Sequence, residues 1–153
     1  MQNPTEFFEK GFTLEDPEIL LSWNTPLDEI AKISEGIWNG DRYVWPKCKF
    51  LNELEYPLMS EVGIGQQDPF IEITAMIGLT PDGLWDDALS LKGYDEMLVH
   101  LTAFFGDPSE NVVLEPDGEK YASWTFGKVE VRLSVFEQFA FRCHLSVRVE
   151  DEV

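Results

Sequence analysis

The C-terminal third of the chain has a two-residue period of apolar side chains, which constrains the fold more than any other feature. Apolar residues from Val129 to Val135 alternate with charged or small polar ones, and Gly127 follows an earlier run that ends at Phe126. A longer run begins after Gln138 and places on one face Phe139, Phe141, Cys143, Leu145, Val147 and Val149. Because such alternation is typical of half-buried strands and the links are short, we expect an antiparallel meander with a tight turn at Gly127.

Two other segments have the period of a helix. Thr25 and Pro26 form a start signal, acids follow in the first turn, and apolar residues recur at helical spacing as far as Ile37. The second helix is predicted from Tyr94 to Phe105, because its apolar residues share one face and Gly106 follows directly.

The remaining patterns complete the predicted order of elements. Alternation predicts strands from Phe50 to Leu58 and from Ile71 to Ile77, and Asp16-Pro17-Glu18 is typical of a helix start. We therefore expect an α+β fold of antiparallel sheet meanders with two main helices, with a doubled α-β-β-β unit as one arrangement. No linker separates the halves, so residues 1–153 are expected to form a single α+β domain.

The charge of the chain excludes several classes of partner. It carries 29 acidic and 11 basic side chains, a formal net charge of −18. Contacts to phosphate need lysine and arginine, so this charge argues against binding to nucleic acid or to anionic lipid. The sequence contains no signal peptide and no apolar run that could span a bilayer. Cys48 and Cys143 lack a C-x-x-C spacing, so we expect a cytoplasmic protein with free thiols.

The residue types that usually carry catalysis or bind metals form no recognisable motif. His100 and His144 have no ligand-spaced partner, and no serine lies in a G-x-S-x-G elbow. Cys143 alternates inward and is predicted to be a small core residue, whereas Cys48 lies between two lysines that could lower the pKa of its thiol. We therefore predict a protein that is not an enzyme and that uses neither a cofactor nor a metal.

The acidic residues are distributed unevenly. Residues 50–91 contain eight acids and no basic residue, whereas the C-terminal strands carry both signs. On a binding surface, acids steer a cationic partner and buried aromatic side chains supply the affinity. The residues predicted to bind a basic protein partner are Glu53, Glu55, Glu72, Asp82, Trp85, Asp86 and Asp87. The alternative is that these acids only keep the protein soluble.

The segment from Tyr121 to Phe139, continued by the run from Phe141 to Val147, is similar to the C-terminal strand pair of small bacterial domains. With its size, acidity, α+β layout and lack of a catalytic set, the chain resembles the acidic bacterial immunity proteins of polymorphic and contact-dependent toxin systems. This resemblance implies a non-enzymatic inhibitor that masks the active cleft of a basic, nuclease-type toxin, and no individual residue is carried over from it.

Two alternatives remain open at the level of the sequence. One is a small acidic secretion chaperone, which would form a homodimer and hold an effector segment in an exposed apolar groove. The other is an enzyme whose site is assembled from scattered carboxylates, which would need a deep pocket with two carboxylates of perturbed pKa.

Overall fold

The computed structural model describes residues 4–15, 18–23, 25–26, 29, 37–38, 43–51, 54–60, 72–114 and 118–149. Within these residues the elements are, in chain order, α1 (Pro4–Glu9), β1 (Gly11–Glu15), β2 (Ile19–Ser22), β3 (Ile37–Trp38), β4 (Tyr43–Phe50), β5 (Leu54–Ser60), β6 (Glu72–Ile77), α2 (Asp87–Phe105), β7 (Glu110–Leu114), β8 (Glu119–Phe126), β9 (Val129–Gln138) and β10 (Ala140–Val149).

The strands form one ten-stranded sheet, so the predicted α+β fold with two main helices is wrong. Neighbouring strands follow the order β2-β1-β4-β5-β6-β10-β9-β8-β7, and β3 pairs with β4. Of the described residues 57% lie in strands and 22% in helices, with one long helix. The doubled α-β-β-β unit is also wrong, because six described strands precede α2 and four follow it. The predicted order was built from separate local patterns, which do not specify how strands join across the chain.

In three segments, the element predicted from the local sequence pattern differs from the structure or lies outside the described residues. The alternation from Phe50 to Leu58 runs through a hairpin: β4 ends at Phe50, which faces Leu54 across the pair, and Leu51 turns the chain with φ +45°. The segment after Asp16-Pro17-Glu18 forms the strand β2 and no helix. The predicted helix from Thr25 lies almost entirely outside the described residues, and Ile37, at its predicted end, belongs to β3.

The chain divides into two compact units, of which the first comprises Met1–Ala75, Phe126–Val129 and Val147–Val153. Aromatic side chains make up much of its core. The ring of Phe8 stacks on Phe126 at 5.8 Å, and Phe12 lies 5.8 Å from Phe50 at a tilt of 44°. The indole N–H of Trp23 donates to the carbonyl of Phe8 at 2.8 Å, which ties the end of β2 to α1.

The second unit comprises Met76–Thr125 and Glu130–Ser146, and α2 is its helix. The predicted helix from Tyr94 to Phe105 is confirmed at its C-terminal end, where Gly106 has φ +89° and its N–H donates to Thr102. It begins earlier than predicted, at Asp87. Its buried face includes Tyr94 and the residues Ser90, Gly93, Met97 and Leu101.

The C-terminal strands match the sequence pattern closely, with one exception. Gly127 has φ +63° in the predicted turn, and alternate residues of β9 from Val129 to Val135 are buried. Cys143 is fully buried, which confirms it as a core residue. Phe139, however, was predicted on the inward face of β10, and this prediction is wrong: it lies in the turn before β10, with φ +66° and 99% of its surface exposed.

Candidate functional site

The segment before α2 is a closed loop that presents an acid and a leucine to solvent. The loop is joined at its base by a bridge between Leu79 and Trp85. Across it, the N–H of Thr80 donates to the carbonyl of Leu84 at 2.8 Å, and the N–H of Gly83 donates back to Thr80 at 2.9 Å. Asp82 and Leu84 therefore lie in a loop that is closed by backbone hydrogen bonds. Both are exposed, Leu84 over 66% of its surface.

The two acids that follow stabilise the start of α2. Asp86 has an extended backbone, and its carboxylate accepts from the N–H of Leu89 at 2.9 Å, as an N-cap residue does. The carboxylate of Asp87 accepts from the N–H of Phe141 at 2.8 Å, and the hydroxyl of Ser90 donates to the Phe141 carbonyl at 2.7 Å. Both backbone groups of Phe141 are thus bonded to the first turn of the helix, which holds that turn against the start of β10.

Trp85 lies beside a cation and a second aromatic ring. The guanidinium carbon of Arg142 is 5.5 Å from the centre of the Trp85 ring, within the range of a cation–π interaction. The ring of His144 lies 5.3 Å from Trp85 and meets Phe136 edge-on at 5.1 Å. Trp85 is therefore half-buried and lies in contact with packed side chains.

Phe139 is the most exposed large apolar residue near this cluster. Its Cα lies at most about 7 Å from that of Phe141, because only one residue, Ala140, separates them. The turn that carries it is braced from β10, since Nε of Arg142 donates to the carbonyl of Gln138 at 3.2 Å. Leu89, in the first turn of α2, is also exposed.

We call this region of the second unit the helix-start surface, and its members are Asp82, Leu84, Trp85, Leu89, Phe139 and Arg142. It combines exposed apolar side chains with carboxylates, since Asp86 and Asp87 lie in the same stretch of chain. Exposed large apolar residues that lie close together mark interaction surfaces more often than residues scattered singly do.

The predicted binding residues divide between the two units. Asp82, Trp85, Asp86 and Asp87 come together at the start of α2, although the carboxylates of the last two are engaged in holding the helix. Four other residues of the helix-start surface were not among the predicted binding residues: Leu84, Leu89, Phe139 and Arg142. A signal for Phe139 was the step from Glu137-Gln138 into a new apolar run, which marks a turn even without glycine.

The remaining candidates belong to the first unit or lie outside the described residues. Glu55 is exposed on β5 and faces Lys49 across the β4–β5 pair. Glu72 on β6 is half-buried, and its carboxylate accepts from the Thr74 hydroxyl at 3.3 Å and lies 4.0 Å from Nε of Arg148. Glu53 lies outside the described residues.

The buried titratable groups of the second unit are held in their neutral forms. Burial raises the pKa of the Cys143 thiol to about 12, and nearby Lys120 opposes this only in part. Burial also raises the pKa of Tyr94 to about 12, and the nearby Cys143 and Asp95 raise it further. Nζ of Lys120 lies 4.7 Å from the centre of the Tyr94 ring and 3.4 Å from Oδ1 of Asp95. A thiol with this pKa stays protonated at neutral pH and is a poor nucleophile.

Among the described residues, no group of three histidine, cysteine, aspartate or glutamate side chains is placed to hold a metal ion. None of the described helices is long and apolar enough to cross a membrane. Comparison of the chain with protein-family models, with curated proteins and with solved structures finds no match.

Proposed function

We propose that this chain is a non-enzymatic binding protein of the immunity type, which inhibits a basic, nuclease-type toxin by placing the helix-start surface in its active cleft. The observation that carries the proposal is Phe139, whose side chain is 99% exposed at the tip of a braced turn. Catalytic clefts are concave, and an aromatic side chain on a projecting turn fits such a shape. Buried aromatic anchors of this kind supply most of the affinity of protein interfaces.

The backbone of Phe139 supports the same proposal. A phenylalanine with φ +66° occupies the left-handed region, where a side chain with a Cβ is disfavoured by roughly 1–2 kcal/mol. Because the side chain of Phe139 is 99% exposed, burial of its ring does not offset this penalty. Strain of this kind is concentrated at functional sites in folded proteins.

Charge supports a basic partner. The chain has a net charge of −18, and Asp82 lies two residues from the exposed Leu84. Carboxylates around an apolar anchor accelerate association with a cationic protein and disfavour an acidic one. The partner that fits this surface is therefore a basic protein with a cleft large enough for a phenylalanine side chain.

The proposal is tested by capture followed by quantitative binding. Wild-type protein, Phe139→Ser and the matched control Val99→Ser are immobilised and used to capture proteins from an extract of the source cells. Val99 is a suitable control because it is 72% exposed on α2 and lies outside the helix-start surface. Each captured protein is then purified, its binding is titrated at low and high salt, and its nuclease activity is measured with and without an equimolar amount of the chain.

We expect a basic captured protein whose nuclease activity is suppressed by wild type. Phe139→Ser should weaken binding by about 100-fold, which corresponds to roughly 2.7 kcal/mol for the loss of an anchor residue, and Val99→Ser should bind like wild type. Asp82→Asn should slow association at low salt, with the exposed Glu18→Gln as its charge-matched control. A captured partner that is acidic, that retains full activity in the complex, or that binds Phe139→Ser unchanged would show the proposal to be wrong.

A further inference from the structure

The second unit presents an open sheet edge at β7. This strand is the last in the strand order, and five consecutive residue pairs join it to β8, from Glu110↔Ser123 to Leu114↔Glu119. In the part of the chain that the structure describes, no strand pairs with its other side. The backbone N–H and C=O groups that point away from β8 are therefore a template for a further strand.

The side chains of β7 do not protect this edge. Proteins usually protect an edge strand with charged side chains, especially lysine, or with proline or a β-bulge. β7, with the sequence Glu-Asn-Val-Val-Leu, has a single charge at its first residue, Glu110, and contains no lysine or proline, and its pairing with β8 has no shift in register. Val113 and Leu114 are 55% and 49% exposed, so an added strand would also cover apolar surface.

The charge around β7 selects the kind of strand that would bind. β7 itself carries Glu110 and no basic residue; across the β7–β8 pair, Glu119 lies opposite Leu114, and Lys120, opposite Val113, is paired with Asp95 at 3.4 Å. A second copy of this chain would bring its own charge of −18 to the same edge. Because successive side chains of β7 point to opposite faces, a segment with lysine or arginine at alternate positions would place its cations on the face of Glu110 and its apolar side chains on the face of Val113.

We propose that β7 binds an extended segment of a partner protein, in which basic and apolar residues alternate, as an additional strand of the sheet. The inference is independent of the helix-start surface, because different residues carry it. A Phe139→Ser variant should therefore retain this binding, and failure of one proposal leaves the other standing.

The test uses the full chain and short synthetic peptides as probes. The probe is the acetylated and amidated hexapeptide KVKVKV, the charge control is EVEVEV, and KVKPKV removes one backbone donor without altering the protein. Binding is followed by the amide signals of Glu110–Leu114 in two-dimensional NMR spectra and by their hydrogen exchange. Val113→Lys places a cation at the exposed edge, and Val99→Lys adds the same charge on α2 as its control.

With the basic peptide, we expect the amides of β7 to shift and to exchange more slowly. Because it loses one hydrogen bond, KVKPKV should bind with about fivefold lower affinity than KVKVKV. The Val113→Lys variant should bind KVKVKV with an affinity lowered by a similar factor, whereas Val99→Lys should change this affinity by less than about twofold. Three results would overturn the proposal: β7 amides that do not respond, equal binding of EVEVEV, or a homodimer of the free protein that Val113→Lys dissociates. The last result would identify a second copy as the occupant of the edge.

Discussion

Replacing Phe139 by glycine should stabilise the fold, although it removes the largest exposed side chain of the second unit. The ring is 99% exposed. A phenylalanine side chain offers roughly 200 Å², so the buried 1% amounts to about 2 Å², or about 0.05 kcal/mol at 25 cal/mol per Å². Deleting the ring therefore has almost no effect on the free energy of unfolding.

The backbone conformation of residue 139 therefore determines whether Phe139→Gly raises or lowers the free energy of unfolding. At φ +66°, glycine removes a penalty of about 1–2 kcal/mol, while its greater freedom in the unfolded chain costs about 0.4–1 kcal/mol. The midpoints of these ranges leave a net stabilisation of about 0.8 kcal/mol. Phe139→Ala keeps the backbone penalty and loses only the ring, so it should lie within about 0.3 kcal/mol of wild type.

Urea denaturation followed by circular dichroism measures both variants. With a slope of about 2 kcal/mol per molar, typical of a chain of this size, the midpoint of Phe139→Gly should rise by about 0.4 M. If either variant lowers the free energy of unfolding by more than about 1 kcal/mol, the ring packs against the protein and the reasoning fails. Under the proposed function, Phe139→Gly should also lose partner binding, so stability and binding change in opposite directions.

Three further predictions concern the second unit and can be followed by the same denaturation assay. Ser90→Ala removes the donor to the carbonyl of Phe141 and should destabilise the fold by about 1–3 kcal/mol; stability equal to wild type would mean that water replaces the hydroxyl. Gly93→Ala should destabilise by about 1–3 kcal/mol despite its higher helix propensity, because the new methyl group would collide with Cγ2 of Ile77; a more stable variant would contradict this close packing. Because the Cys143 thiol has its pKa raised from 9.0 to about 12 in the folded state, it stays protonated while the unfolded thiol ionises, so the free energy of unfolding should fall by about 1.4 kcal/mol per pH unit above pH 9.0. Cys143→Ala should remove this part of the alkaline slope, and an unchanged slope would count against it.

The local patterns predicted the second half of the fold well because its elements are bounded by local signals. Gly106 ends α2 with φ +89°, and Gly127 forms the turn between β8 and β9 with φ +63°. The inward position of Cys143 follows from the two-residue period alone. At these points, the residue that the backbone conformation needs is present in the sequence, so the pattern and the structure agree.

Where a turn has no glycine, the same reasoning failed. Leu51 and Phe139 both adopt positive φ, and the apolar alternation continues through each of them. The pattern from Phe50 to Leu58 was therefore predicted as one strand, although it is a hairpin. Phe139 was assigned to the core for the same reason.

By itself, the sequence determined the net charge, the period of each regular segment and the positions of the glycine-bounded turns, because each depends on neighbouring residues only. Tertiary structure decided which distant residues meet. The carboxylate of Asp87 and the backbone of Phe141 are 54 positions apart and hydrogen-bonded, and this contact holds the segment that follows Phe139 against the start of α2. Pairing between strands and docking of a helix depend on the packing of the whole chain, so no local period encodes them.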